Sequence, residues 1–169
     1  IYQPQYEKRG LPGAVYEIVA AEDIVTPDGT ARNHKGEVVD TVTTDETGTA
    51  VSRELYLGKY EVREITAPHG MVLNPEPHCV ELVYAGQNVA VTETATSFEN
   101  ERQKVEISLV KSIEQNERFG IGTNGEMKNI SFGLFAAEEI VSASGTSIPA
   151  NGLVEIISLN EDGTAKVKT

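Results

Sequence analysis

The chain has 169 residues, 39% of them hydrophobic, and 26 acidic against 14 basic side chains give it a formal net charge of -12. That length holds one domain or two small ones with a packed core, and that charge repels nucleic acid and anionic membrane surfaces. A single cysteine, Cys79, excludes an intrachain disulfide and a cysteine-based metal site, and no apolar run approaches the ~18 residues of a membrane-spanning helix.

In chain order, short alternating runs broken by turn residues dominate over helical periodicity, which predicts an all-β sandwich. Residues 1–6 can form a strand, confined by Pro4 to an edge or a strand end. Residues 10–13 (GLPG) turn, and residues 14–21 (AVYEIVAA) make a strong strand with Tyr16 and Ile18 on one face. Ile24 and Val25 continue it, and 26–29 (TPDG) turns it back. Val38–Thr43 is a strand, 44–49 closes a hairpin, and 50–53 returns along it. Residues 79–84 and 89–94 read as a further hairpin, with 96–100 extending its return strand and 101–104 a charged joint. Cys79, inside a strand-like alternation, is expected to be a small core or half-buried residue. Residues 105–111 start a new strand with Val105, Ile107, Leu109 and Lys111 on one face, 118–128 form a loop, and 130–141, 152–159 and 165–167 are strands.

One stretch, 58–70 (GKYEVREITAPHG), reads as a strand ending in a Pro/Gly turn. Its alternation places Glu64 on the same face as Tyr60 and Val62, the pair expected to enter a core. Either the strand end is frayed and Glu64 is wet, or a carboxylate is aimed inward, which is costly unless it is paired or protonated.

An internal repeat sets the organisation. Residues 16–25 (YEIVAAEDIV) line up with 132–141 (FGLFAAEEIV), Gly29-Thr30 with Gly145-Thr146 and Gly36 with Gly152, all at an offset of 116. With one residue deleted, Gly48-Thr49-Ala50 matches Gly163-Thr164-Ala165. The expectation is one nearly full domain, 1–102, followed by the front portion of a second, 103–169, completed by chain beyond this segment.

Residues 11–18 (LPGAVYEI), 58–70 and 98–100 (FEN) resemble, in that order, the Cna protein B-type (prealbumin-like) domain of collagen-adhesin stalks and SpaA-type pilins of Gram-positive bacteria. The resemblance implies tandem immunoglobulin-like, prealbumin-like β-sandwiches, the second incomplete. It also implies a spontaneous Lys–Asn isopeptide bond between first and last strands, promoted by an acid on a middle strand. Glu64 matches the acid, acting as proton shuttle, and Asn100 the asparagine; Lys111 matches the lysine of the second copy. In such chemistry burial favours a neutral, nucleophilic lysine and a protonated acid, and close positioning replaces a bimolecular encounter. The first copy departs from the family in having no lysine on residues 1–6; the candidates left are Lys8, which belongs to the turn, or a lysine upstream of Ile1. Neither copy therefore contains a complete triad.

The function this implies is a structural stalk or adhesin module, extracellular and wall-anchored through a signal and anchor outside the segment. Its partners would be neighbouring domains of the same surface protein, with a host matrix protein or glycan as candidate ligand; no membrane insertion, nucleic acid, cofactor or metal is expected. The competing class is a carbohydrate-binding or accessory β-sandwich of a secreted enzyme, although the chain has no Trp and its six Tyr mostly occupy strand positions. An enzyme proper is poorly supported, with no nucleophile elbow, His–carboxylate set or phosphate-binding glycine loop. Residues 45–48 (DETG) and 160–163 (NEDG) read as hairpin turns rather than calcium loops.

Overall fold

The computed structural model describes residues 1–142 and 145–168. Among them there is no α-helix; the elements are twelve strands and two single 3-10 turns, Glu117–Phe119 and Glu126–Asn129, the latter two within and beside the expected 118–128 loop. The chain divides into two compact units, Arg9–Gln103 and Ile1–Lys8 together with Lys104–Thr169.

The first unit is built on a four-stranded antiparallel sheet. Its strands are β1 (Val15–Ala20), β4 (Val38–Thr43), β5 (Gly58–Thr66) and β6 (His78–Leu82), in the order β4-β1-β5-β6. A small ribbon pairs β2 (Ile24–Val25) with β3 (Ala31–Asn33). Ile18, Ala20, Ile24, Val39 and Tyr60 form the buried cluster, edged by Val42, Leu55, Val62, Val80 and Leu82. Tyr60 is its largest side chain; its hydroxyl, the one polar group taken inward with the ring, donates to the Tyr56 carbonyl at 2.6 Å.

The second unit holds three ladders: β7 (Glu106–Val110) with β12 (Thr164–Lys168), β8 (Ser131–Phe135) with β11 (Leu153–Ser158), and β9 (Ile140–Val141) with β10 (Ser147–Ile148). Its core is smaller: Ile157, Leu159, Ala165 and Val167, with Leu109, Met127, Ile130, Phe132 and Leu134 packed around them. Residues 1–6 form no strand; the Tyr2 amide donates instead to the Leu153 carbonyl at 2.8 Å.

The repeat is visible bond for bond inside each unit. Tyr16 faces Val42 and Ile18 faces Asp40; Phe132 faces Ile157 and Leu134 faces Glu155. Both ladders skip one residue at the same place, Val39 in β4 and Val154 in β11. The structure corrects one detail of the sequence alignment. Gly36 donates to the Ala20 carbonyl with φ 89°, and the residue doing the same for Ala136 is Asn151, with φ 63°. Gly36 therefore corresponds to Asn151, and Glu37 to Gly152. The offset falls from 116 at Ala31/Ser147 to 115 at Asn33/Ile148, so Arg32 is the residue without a counterpart. Arg32 lies where the β2–β3 register shifts, and deleting a bulge residue leaves the flanking ladder intact.

Several expected strands are absent. Residues 50–53, 89–94 and 96–100 join no ladder, and the last of these is held by side-chain hydrogen bonds and ring contacts instead. Cys79 is exposed, because the β6 alternation turns His78, Val80 and Leu82 inward and Cys79 and Glu81 outward. The two acidic turns close through their own threonines: Asp45 Oδ1 accepts from the Thr47 and Thr49 amides and the Thr47 hydroxyl, and Asp162 Oδ1 from the Thr164 amide and hydroxyl.

Candidate functional site

The site lies at the C-terminal end of β5. Alternation along the strand buries Tyr60, half-buries Val62 and buries Glu64, leaving Arg63 and Ile65 exposed. β5 pairs with β1 so that Glu64 stands opposite Tyr16, and the register slips immediately afterwards, with Ile65 as the extra residue before Thr66 meets Val15. Such bulges aim the neighbouring side chain, and here the aimed side chain is a carboxylate 6% exposed.

Its partners come from two loops and one strand. Asn100 Nδ2 lies 2.8 Å from Glu64 Oε1, 2.7 Å from Oε2 and 3.0 Å from the Val72 carbonyl. An amide nitrogen has two hydrogens, so one is shared across the carboxylate and the other goes to Val72, whose oxygen can only accept. The Asn74 amide donates to Oε2 at 2.7 Å, and the Tyr16 hydroxyl approaches Oε1 at a long 3.4 Å. Every contact supplies a hydrogen to the carboxylate, the arrangement that satisfies an ionised acid taken out of water. Burial, then the charge of Glu64 and the hydrogen bond to it, push the Tyr16 phenol up to about 12.

The rest of the clasp holds the chain that carries Asn100. Val72 donates to the Glu101 carbonyl at 2.7 Å and Gln103 to the Gly70 carbonyl at 2.8 Å, with Met71 and Arg102 bridged. Asn74 Nδ2 donates to the Glu99 carbonyl at 3.2 Å. Phe98, half-buried like Asn100 with the exposed Glu99 between them, stacks on His78 at 3.8 Å and meets Tyr16 at 4.8 Å. Residues 98–103 are thereby tied to β1, β5 and β6 without joining the sheet.

The structure thus brings Glu64 and Asn100 together. The two lysine candidates belong to the other compact unit. Lys8 is exposed; Lys111 is exposed too, following β7 with its amide donating to the Gly163 carbonyl at 2.8 Å. Residues 9–103 contain only Lys35 and Lys59, both exposed, and Lys59 lies on the outward face of β5. Chemically, a carboxyl group at Nδ2 is placed to pass a proton to that nitrogen if it leaves as ammonia, but the unit supplies no inward amine to displace it. Sequence reasoning missed Tyr16, Asn74, His78 and Phe98. The strand register points to Tyr16, and the Phe98/Asn100 spacing to the ring beside the amide; Asn74 sits in a loop with no periodic signal.

In the second unit an open groove of about 600 Å³ is lined by Ser108, Leu109, Val110, Glu155, Asn160 and Lys166 among others, with no aromatic ring in its wall.

The SpaA family model, described as a prealbumin-like fold domain, matches residues 4–97. No curated protein matches the chain. Among solved structures, the Bacillus anthracis TIE protein is similar at 22% identity and a TM-score of 0.53, over 94% of this chain and 23% of that one. The major pilin subunit BcpA of Bacillus cereus is similar at 17% identity and a TM-score of 0.40, over 95% of this chain and 49% of its own. A variant of that subunit gives 13% identity and a TM-score of 0.37, over 95% and 63%. The chain spans less than two thirds of each of these structures, and the likeness to the TIE protein shows the fold alone.

Proposed function

Because the chain belongs to the SpaA prealbumin-like domain family, whose model covers residues 4–97, we propose that it is a structural stalk module of a Gram-positive pilin or adhesin. In this reading it is extracellular, wall-anchored through sequence outside these residues, and its partners are neighbouring domains of the same surface protein. The matching β1–β4 and β8–β11 ladders support dividing the chain into a nearly full module, 1–102, and the front of a second, 103–169.

The observation that carries the reading is the Glu64–Asn100 clamp, which fastens the closing segment of the first module to its central strand. We assign Glu64 and Asn100 a non-covalent role in this chain. Covalent closure would join Lys Nζ to Asn100 Cγ, break the Cγ–Nδ2 bond and release ammonia, with Glu64 moving the proton from the amine to Nδ2. The lysines within residues 9–103 are both exposed and neither is aimed at the clamp, so the step lacks its nucleophile there. Lys8 and Lys111 are the candidates if one is recruited. A glycan-binding role draws no support from the groove, whose wall offers no ring for a sugar to stack on.

Intact mass spectrometry of the chain tests the assignment. The expected mass is that of the sequence; a deficit of about 17 Da, one ammonia, that disappears in Asn100→Ala would overturn the non-covalent role. Single-molecule pulling tests the stalk reading: the first unit should open in one step, at a lower force in Asn100→Ala than in the parent chain. Equal forces would remove the clamp from any mechanical role.

A further inference from the structure

Four places in the chain put glycine directly after asparagine or aspartate: Asp28-Gly29, Asn124-Gly125, Asn151-Gly152 and Asp162-Gly163. Without a Cβ to screen it, the glycine nitrogen can reach the preceding side-chain carbonyl carbon and close a five-membered ring. At neutral pH the two aspartates are ionised and resist that attack, so the two asparagines are the better substrates, and by sequence they are alike. The fold separates them. Gly152 is buried, and its amide donates to the Pro149 carbonyl at 2.9 Å; the Gly29 and Gly163 amides donate to the Thr26 and Asn160 carbonyls at 2.8 and 3.0 Å. Each of these nitrogens must break a hydrogen bond before it can turn on the side chain. Gly125 is exposed with φ 72°, a Cβ there would meet nothing within 4 Å, and its amide donates to no acceptor among the described residues. Asn124 is exposed too, and its carboxamide is tied, among the described residues, only by Nδ2 donating to the Gly120 carbonyl at 3.0 Å.

We propose that Asn124 is a site of spontaneous covalent modification, the one of the four that the folded chain leaves open, with water as co-reactant. The Gly125 nitrogen gives its proton to solvent and bonds to Asn124 Cγ. The Cγ–Nδ2 bond breaks, and Nδ2 takes a proton from solvent and leaves as ammonia. Water then opens the ring at either carbonyl, leaving aspartate or isoaspartate at 124, a net exchange of NH3 for H2O. The product acts on its own loop, between β7 and β8. Glu126 holds that loop through both oxygens, Oε1 accepting from the Gly122 amide at 3.1 Å and Oε2 from the Asn124 amide at 2.8 Å. Conversion turns the Nδ2 donor into an oxygen facing the Gly120 carbonyl and sets a second negative charge near Glu126, both unfavourable. The loop therefore loosens irreversibly as the protein ages. The inference stands apart from the stalk reading: it uses neither Glu64 nor Asn100, and its end product is heavier by about 1 Da, not lighter by about 17 Da.

Peptide mapping by mass spectrometry tests it on the full chain aged in warm neutral buffer, beside a sample aged in urea. In the folded chain the peptide holding Asn124 should convert at least about tenfold faster than the one holding Asn151, a ratio equal to about 1.4 kcal/mol of barrier. In urea, where no amide keeps its folded partner, the two rates should agree within about threefold. Asn124→Gln, which would need a six-membered ring, should abolish the change. Aged parent chain should exchange its Gly122 amide faster than fresh chain, and aged Asn124→Gln should not. Equal rates at Asn124 and Asn151 in the folded chain would overturn the proposal. So would a tenfold ratio that persists in urea, which would trace the difference to neighbouring residues, or a folded chain that stays unconverted at Asn124 while the urea sample converts. Unchanged exchange at Gly122 after conversion would overturn the loosening of the loop.

Discussion

Replacing Glu64 by alanine removes one acceptor on which three groups converge. The Asn74 amide at 2.7 Å and Asn100 Nδ2 at 2.7 and 2.8 Å are short and charge-assisted; the Tyr16 hydroxyl at 3.4 Å is too long to weigh much. Each hydrogen bond to a charged group contributes about 1.5–3 kcal/mol, and part of that only offsets the desolvation of the carboxylate. The expected loss for Glu64→Ala is therefore about 3 kcal/mol, a large share of a stability on the order of 5–15 kcal/mol. Glu64→Gln keeps the shape but sets an NH2 against one of the existing donors, so about half that loss is expected. Asn100→Ala leaves the Asn74 amide in place and should lose about 1–2 kcal/mol; the double variant should be little worse than Glu64→Ala. Since the chain has two compact units, one transition for the whole molecule is ill-defined. Hydrogen exchange in urea, read separately on β5 and β11, gives the unit-specific value. A loss in β5 below about 1 kcal/mol, an equal shift in β11, or strict additivity of the two substitutions would refute the clamp.

Alkali should loosen the first unit. The Tyr16 phenol is held above its ordinary value of 10.0, at about 12, and burial moves Tyr60 in the same direction. The stability linked to both is therefore intact below pH 10 and is lost as pH rises through the folded value; Tyr16→Phe should flatten that fall in a pH series of urea midpoints. Gly48→Ala should be far more damaging than Gly29→Ala. Both have positive φ, but a Cβ at Gly48 meets Gly10 Cα at 2.5 Å whereas one at Gly29 meets nothing within 4 Å. Roughly 1 kcal/mol for the open site and more than twice that for the closed one is the expected contrast in thermal melts. Acid should fray the threonine turns first. Hydrogen bonds from threonines hold Asp28, Asp45 and Asp162 below their ordinary value, so those turns keep their order above the ordinary carboxylate range and lose it as pH falls through the folded values. Exchange at the Thr30, Thr49 and Thr164 amides, measured across that range, reads this directly.

The face Glu64 shares with Tyr60 and Val62 was legible because a two-residue period needs only local sequence, whereas the choice between a wet, frayed strand end and a buried carboxylate was made by the fold. Asn100 was legible through resemblance, not through its own surroundings, since residues 96–100 form no strand and are fastened from afar by Tyr16, His78, Val72 and Asn74. Cys79 was misplaced because alternation fixes which residues share a face but not which face is covered; in β6 the covered face carries His78, Val80 and Leu82.

By itself the sequence determined the all-β class, the positions of β1, β4, β5, β7, β8 and β11, and the existence of a repeat, all consequences of short-range alternation and turn chemistry. The tertiary structure alone decided which glycine answers to which asparagine, where the repeat loses Arg32, and that residues 1–8 group with 104–169. It also decided that four hydrogen-donor contacts meet on one carboxylate. These depend on ladder register and on contacts between residues dozens of positions apart, which local periodicity does not encode.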